Sequence, residues 1–241
     1  MWELQFLLQT FPQGCFVCRE ADRSVAFITS VSYGNSGWIG NLLVHPEFRK
    51  RGLGRGLMER AVAELLHIGV QTIWLTASAE GAGLYQKLGF AAIDQVKRWT
   101  GKGQLGEVLK PVPFDMESVR EFDRAGWGDW RKSLLKVTCG RGRLYGSWGG
   151  FLCCQQWEDG MQIGPWGCLL ESPAGQLLDQ ALAGAGGRVF LDIPAGNSAA
   201  ATLLKNKGFA VKGSSLLMYL GIEPRYQPEN IYALASMGSM G

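Results

Sequence analysis

Val44-His45-Pro46-Glu47-Phe48-Arg49-Lys50-Arg51-Gly52-Leu53-Gly54-Arg55-Gly56 joins an apolar run to a helical stripe, and the fold of the chain turns on it. Behind it lies Trp38–Val44, a strand candidate ended by Pro46. Ahead of it Leu57, Met58, Ala61, Val62, Leu65 and Leu66 recur as one face of a helix, which Gly69 closes. Glycines at 52 and 54 let successive backbone N–H groups turn toward one point, and the helix start adds its partial positive charge. Such a nest suits an anion, most naturally a phosphate or diphosphate. Arg49, Lys50, Arg51 and Arg55 surround it with cations. No Gly-Lys-Ser/Thr closes the turn as in a P-loop, and the glycine spacing is not G-x-G-x-x-G. A glycine-rich turn with a solvated basic rim is the plainer alternative.

Outward from this turn, the N-terminal side reads as a short amphipathic helix over 2–11. Strands follow over Cys15–Glu20 and Ser24–Ser32, with Gly34-Asn35-Ser36-Gly37 as a turn before the third. On the C-terminal side come a strand over Val70–Thr76, a helix over Ala82–Leu88 stopped by Gly89, and a strand over Phe90–Trp99. The order β-β-β-α-β-α-β predicts a mixed sheet flanked by helices. Residues 101–114 carry Gly101, Gly103, Gly106, Pro111 and Pro113 and mark a boundary, after which Asp115 can cap a helix reaching about Ala125. The spacing then predicts strands over Leu144–Gln155, Gly160–Pro165, Arg188–Ile193 and Phe209–Leu220, with helices over Ala174–Leu182 and Ser198–Lys207. Setting Gly89-Phe90 over Gly208-Phe209 superposes Leu84 on Leu203, so the closing elements repeat after about 120 residues, a duplicated fold rather than a solenoid. The division expected is 1–103, a linker 104–114, a second domain 115–221, and a tail 222–241 that opens Pro-containing and polar.

Composition narrows the chemistry. The chain has 241 residues, 46% apolar and 19% charged, enough to bury two ordinary cores. Its 34 glycines are about twice the usual share and follow no G-X-Y period, which points to turns and close backbone approaches. No apolar run approaches the ~18–20 residues of a membrane span, and the Met1-Trp2-Glu3 start does not read as a secretion signal. A cytoplasmic protein without membrane partners is expected. Two histidines, His45 and His67, exclude a multi-histidine metal site. The six cysteines, Cys15, Cys18, Cys139, Cys153, Cys154 and Cys168, read as buried thiols in a reducing compartment, and no metal is expected. A net charge of +3, with the basic cluster at 49–55 confined to one turn, gives little support to nucleic acid as a partner.

The pattern V-x-P-x-x-R-x-x-G-x-G over Val44–Gly54 resembles the acetyl-CoA-binding motif of the GNAT superfamily of N-acetyltransferases. Some 30 residues on, Leu84-Tyr85-Gln86-Lys87-Leu88-Gly89-Phe90 resembles the second motif of that superfamily, and together the two cover roughly residues 14–100. The second half resembles the degenerate C-terminal domain of tandem acetyltransferases, through Ile163-Gly164-Pro165-Trp166, Leu191-Asp192-Ile193-Pro194, Asn197, Leu203-Leu204 and Lys207-Gly208-Phe209. The fold class this implies is mixed α/β (an α+β mixed sheet), with two such domains in tandem and the first lacking its first strand and helix.

The resemblance also implies roles. Backbone groups of Leu42, Leu43 and Val44 would meet the pantetheine arm of acetyl-CoA, with an N–H polarising the thioester carbonyl. The backbone of Arg49, Lys50, Arg51, Gly52, Leu53 and Gly54, rimmed by the basic side chains and Arg55, would hold the diphosphate. Tyr85 would protonate the departing thiolate; the structural alternative is an aromatic packed beside Phe90. Where the superfamily often has asparagine, seven residues before that tyrosine, this chain has Ser78, which can still give one hydrogen bond. In the second half no Arg-x-x-Gly-x-Gly follows Pro165, and Leu204 stands where Tyr85 stands in the first, so one active site is expected. Glu80, Asn41 through a water, and His45 remain open as general bases.

The activity implied is transfer of an acetyl group from acetyl-CoA to a primary amine in a ternary complex. The alternative is an acyl-CoA sensor without transfer. A homodimer is a candidate assembly that no motif decides.

Overall fold

The computed structural model describes residues 2–104, 116–183 and 185–241. The first part runs α1 (Trp2–Thr10), β1 (Phe16–Glu20), β2 (Arg23–Ser32), β3 (Ser36–Val44), α2 (Leu53–His67), β4 (Thr72–Ala77), α3 (Ala82–Lys87) and β5 (Ala91–Lys102). The second runs α4 (Met116–Trp127), α5 (Lys132–Arg141), β6 (Arg143–Ser147), β7 (Gly150–Trp157) and β8 (Gly160–Cys168). It continues with α6 (Glu171–Ala183), β9 (Arg188–Pro194), α7 (Ser198–Asn206), β10 (Ala210–Gly221) and β11 (Ile231–Ala233). This is a mixed α/β fold with parallel and antiparallel pairs, as the alternation of strand and helix periods leads one to expect.

Two compact units divide the chain, and neither is one continuous segment. The first comprises Met1–Ile93, Leu216–Glu223 and Gly238–Gly241; the second comprises Asp94–Ser215 and Pro224–Met237. In the first unit β1, β2 and β3 form an antiparallel meander, and β4 joins β3 in parallel through α2. Beyond β4 the sheet is completed by the end of β10, from Leu216 opposite Ala77 to Gly221 opposite Thr72. In the second unit β5 supplies the matching strand, with Val96 opposite Pro194 and Lys102 opposite Arg188 on β9. The sheet then continues through β8, β7 and β6, and β11 pairs with β8. The closing strand of each repeat therefore completes the sheet of the other unit.

α2 buries Leu57, Met58, Ala61 and Leu65. Leu66, which the periodicity assigns to the same stripe, is 50% exposed, so the buried face is narrower than the sequence pattern. The second unit centres on Trp99, Leu152, Ile163, Leu178, Leu191, Leu204 and Phe209. A buried pair anchors its helices: the Asp123 carboxylate accepts from the Arg131 amide at 2.9 Å and from Arg131 Nε at 3.0 Å, while the Arg131 guanidinium lies 4.4 Å over the Trp127 ring.

The structure corrects the sequence reading in three places. Leu144–Gln155 is not one strand but the hairpin β6–β7, turned at Trp148–Gly149. The helix α5 stands where no helix was expected, because Lys132–Arg141 has only a weak apolar stripe and is held by burying Leu134, Leu135 and Cys139. Ser36 and Gly37 are the start of β3 rather than part of the preceding turn. The segment expected as a linker, and the expected cap Asp115, fall mostly or wholly outside the described residues.

Candidate active site

β3 and β4 pair in parallel only from Ser36–Trp38 against Thr72–Trp74. Past that point they diverge, and the edge of β3 from Ile39 onward is left without a β4 partner. β2 still holds the other edge, but its register slips between Phe27–Leu43 and Thr29–Gly40, the mark of a bulge. Asn41 sits in that bulge at φ +53, and its Nδ2 donates to Thr29 Oγ1 at 3.0 Å. The fork encloses a pocket of about 270 Å³ lined by Ile39, Gly40, Asn41, Leu42, Leu43, Leu75, Thr76, Ser78, Tyr85 and Gly238. Leu43 is 56% exposed, an apolar side chain offered to whatever fills the fork. Paired strands satisfy their own backbone groups; a parallel pair that splays leaves amides and carbonyls facing a gap, which an extended ligand with amide groups of its own can bridge.

The turn before α2 is built as the sequence suggests. Pro46–Phe48 forms one 3-10 turn, Lys50 adopts φ +61, and Gly52 caps the helix at φ +82, a left-handed conformation that a side chain would strain. No side chain caps α2 and no acid lies in its first turn, so the first amides and the dipole face outward. An ideal Cβ at Gly54 would lie 3.6 Å from Val44 Cγ2 and 3.9 Å from Leu42 Cδ2, so the turn abuts the fork. Arg49 Nε donates to the Val44 carbonyl at 3.2 Å, Arg51 pairs with Glu20 at 3.4 Å, and Arg55 with Glu59 at 2.7 Å. The last two pairs are solvent-exposed and hold their arginines by under about 1 kcal/mol each, so a phosphate can recruit them.

Tyr85 owes its place to the end of α3. The Gly89 amide donates to the Gln86 carbonyl and the Phe90 amide to the Tyr85 carbonyl, both at 3.0 Å, with Gly89 at φ +91. This is the paired hydrogen-bond pattern of a Schellman turn, which brings the residue two past the cap against the third from the helix end. The Phe90 ring accordingly meets the Tyr85 ring edge-on at 6.2 Å. The spacing Tyr-x-x-x-Gly-Phe is thus a helix stop that points one side chain into the fork. Burial pushes the Tyr85 phenol above its ordinary range, keeping it protonated. Ser78 Oγ accepts from the Gly81 amide at 3.2 Å and also lines the pocket.

The structure brings Leu42, Leu43, Ser78 and Tyr85 to one pocket and sets Val44 and residues 49–55 beside it. Of the open bases, Asn41 lines the pocket and Glu80 is exposed in the turn before α3. His45 is held away from the pocket by Arg23, 2.7 Å from its Nε2, and by Phe48. Thr76 and Gly238 line the pocket without having been singled out from the sequence: nothing local to Gly238 tells that a residue so far along the chain returns to this fork.

The second unit builds the same frame without these devices. α7 ends in the same turn, with the Phe209 amide donating to the Leu204 carbonyl at 3.0 Å, but the side chain in the place of Tyr85 is a fully buried leucine. α6 starts with Glu171, an acid where an anion would need to bind. The fork between β8 and β9 is bridged from within: Ile231 and Ala233 pair with β8, and the Leu234 amide donates to the Asp192 carbonyl of β9 at 2.9 Å. Among the described residues no three of His, Cys, Asp and Glu gather as a metal site, and no helix is long and apolar enough to cross a membrane. All six cysteines are free thiols, the four in the second unit buried and Cys15 and Cys18 half-buried.

Models of the acetyltransferase (GNAT) domain match residues 12–92 and again residues 119–233. The chain belongs to the GNAT acetyltransferases. Among curated relatives, the [ribosomal protein bS18]-alanine N-acetyltransferase of Salmonella typhimurium is 35% identical over 100 residues, which cover 39% of this chain and 68% of that enzyme. The enzyme of the same name from Escherichia coli is 36% identical over 81 residues, and this chain spans only about half (55%) of its length. A Pyrococcus horikoshii crystal structure, provisionally assigned as an acetyltransferase, is similar over 99% of this chain and 84% of that one, with a TM-score of 0.84 and 25% identity. The two family matches establish the GNAT domains as a tandem pair, with Tyr85 in the first and Leu204 in the second.

Proposed function

We propose that the first unit transfers an acetyl group from acetyl-CoA to a primary amine by direct attack in a ternary complex. The observation that carries this is the fork between β3 and β4, with an uncapped helix start at one end and a protonated tyrosine inside. In this reading the amides at the start of α2 receive the diphosphate, and the free edge of β3 at Leu42–Val44 receives the pantetheine arm. Acetyl-CoA, when bound, supplies an activated acyl carbon. An N–H of the β3 edge donates to the thioester carbonyl, stabilising the negative charge that gathers there during transfer, a contribution that is usually the largest in acyl transfer. The amine nitrogen, neutral after losing a proton to water, forms the new C–N bond as the C–S bond breaks, and the second proton it sheds on becoming an amide replaces the one Tyr85 gives up. Tyr85 gives its proton to the departing sulfur. Holding both partners in one pocket makes the reaction effectively unimolecular. The family and the bS18-alanine enzymes support the N-acetyl chemistry; the acceptor is a separate question.

Tyr85→Phe tests the assignment. The variant should bind acetyl-CoA as the parent does in calorimetry and release CoA roughly 10²–10³-fold more slowly at saturating amine. Equal turnover would remove Tyr85 from the mechanism. Tight acetyl-CoA binding with no product across polyamines, amino acids, aminoglycosides and peptides would turn the site into a sensor.

A further inference from the structure

The first unit contains a segment that its family match, residues 12–92, does not include. Gly238–Gly241 returns to the β3–β4 fork and is seated there by four contacts. Trp38 Nε1 donates to the Gly238 carbonyl at 3.1 Å, and Thr76 Oγ1 to the same oxygen at 3.4 Å. Tyr33 Oη donates to the Met240 carbonyl at 2.7 Å, and Ser239 Oγ to Glu3 Oε2 at 3.0 Å. Met240 is fully buried. The fit is close: an ideal Cβ on Gly40 would stand 2.3 Å from the Ser239 carbonyl oxygen, so glycine is required where the segment crosses β3. Beneath it the Trp38 and Trp74 rings stack at 6.5 Å.

The segment lies on a particular face. Gly37 of β3 turns toward Leu65 of α2, whereas Trp38 and Gly40, the alternating residues, point to the opposite face. The helix start proposed for the diphosphate belongs to the α2 side. A donor entering from that side leaves the opposite face of the fork for the amine, and that face is where Gly238 closes the pocket beside Gly40 and Thr76.

We infer that residues Gly238–Met240 form the acceptor-side wall of this pocket and restrict it to slender, unbranched primary amines, excluding peptide and protein N-termini. The inference rests on the acetyl-transfer reading above. The fork holds about 270 Å³ for the acyl end of the donor and the acceptor together, and an unbranched chain of methylenes asks less width beside Gly238 than a backbone branched at Cα and flanked by amides. The wall is fixed, not a loose lid: four hydrogen bonds and a buried methionine hold it, and it stands against Trp38, Gly40 and Thr76.

Two CoA conjugates, joined through an acetyl linker to ethylamine and to the amine of an alanyl tripeptide, test this by calorimetry without requiring turnover. The intact protein should bind the ethylamine conjugate roughly tenfold or more tighter than the tripeptide conjugate. Deleting residues 238–241 should bring the two within about threefold by improving the tripeptide conjugate. Tyr33→Phe combined with Ser239→Ala, which loosens the seat and leaves the pocket lining intact, should move the ratio the same way in a protein that keeps its fold. Equal affinity for both conjugates in the intact protein, or a ratio unchanged in both altered proteins, overturns the wall. Failure of CoA itself to bind the intact protein would instead strike the donor site and the acetyl-transfer reading beneath it.

Discussion

At the scale of single residues, the fork and the turn beside it use backbone conformations that few of the described residues adopt. Among the described residues only Ala21, Asn41 and Lys50 hold positive φ without being glycine, and two of the three stand at the fork and in the turn before α2. Such conformations cost of order 1–3 kcal/mol and persist where surrounding structure dictates them. Gly54 makes a different argument. Its missing Cβ would meet no neighbour closer than 3.6 Å, so the protein's own packing does not demand glycine there. Gly54→Ala should therefore leave stability unchanged or raise it by up to about 1 kcal/mol, because alanine is the better helix former. It should still weaken acetyl-CoA by tenfold or more, since the methyl group occupies the approach to the first amides. Denaturation and calorimetry on one variant separate the two; a parallel loss of stability would show that Gly54 is structural. Tyr85 carries a pH prediction. Burial raises its pKa, so the protonated, donating form persists through the ordinary tyrosine range, and kcat at saturating amine should show no alkaline decline below about pH 10. A decline centred near neutrality would mean that another group limits transfer. The cysteines carry another. Burial pushes Cys154 and Cys168 up to about 12, so neither forms thiolate near neutrality. Iodoacetamide at about pH 8 should alkylate Cys15 and Cys18 in the native protein and the other four only after unfolding, as peptide mass mapping would show.

At the scale of elements, legibility followed local physics. α2 could be read because its stripe, its opening glycine and its closing Gly69 agree, and α3 and α7 because each ends in the same Gly-Phe stop. The glycine turn before α2 was legible for the same reason: its glycines act within their own neighbourhood. α5 was not, since its few apolar residues become a helix by packing against β7 rather than by periodicity. The β6–β7 hairpin was missed because Trp148-Gly149 interrupts a continuous apolar run and Trp148 is 83% exposed at the turn, an apolar residue in a polar residue's place. The fork itself had no sequence signal. It arises because β3 and β4 share register for three residues and then part, which depends on the bulge at Asn41 and on what fills the gap.

At the scale of the whole chain, two units are assembled from interleaved segments. The last strand of the first repeat pairs with β9 through seven residue pairs, and the last six residues of β10 pair with β4. A sequence-level duplication reads as two self-contained halves, because pairing partners 86 or more residues apart leave no local trace. The consequence can be tested by cutting the chain. A fragment of residues 1–104 lacks the strand that covers β4 and the segment 238–241, and it should be insoluble or molten when expressed alone. Co-expressed with 105–241, it should recover near-UV circular dichroism and cooperative unfolding. A stable, cooperative 1–104 fragment would contradict the exchange of strands.

In the proposed reading, the turn at residues 49–54 and the splayed edge of β3 together hold acetyl-CoA. Crystals soaked in acetyl-CoA would test it most directly. Density is expected for the diphosphate against the amides that open α2, for the pantetheine arm along Leu42–Val44, and for the thioester sulfur within hydrogen-bonding reach of the Tyr85 hydroxyl. Density for the diphosphate at any other surface, with the fork left to solvent, would contradict it.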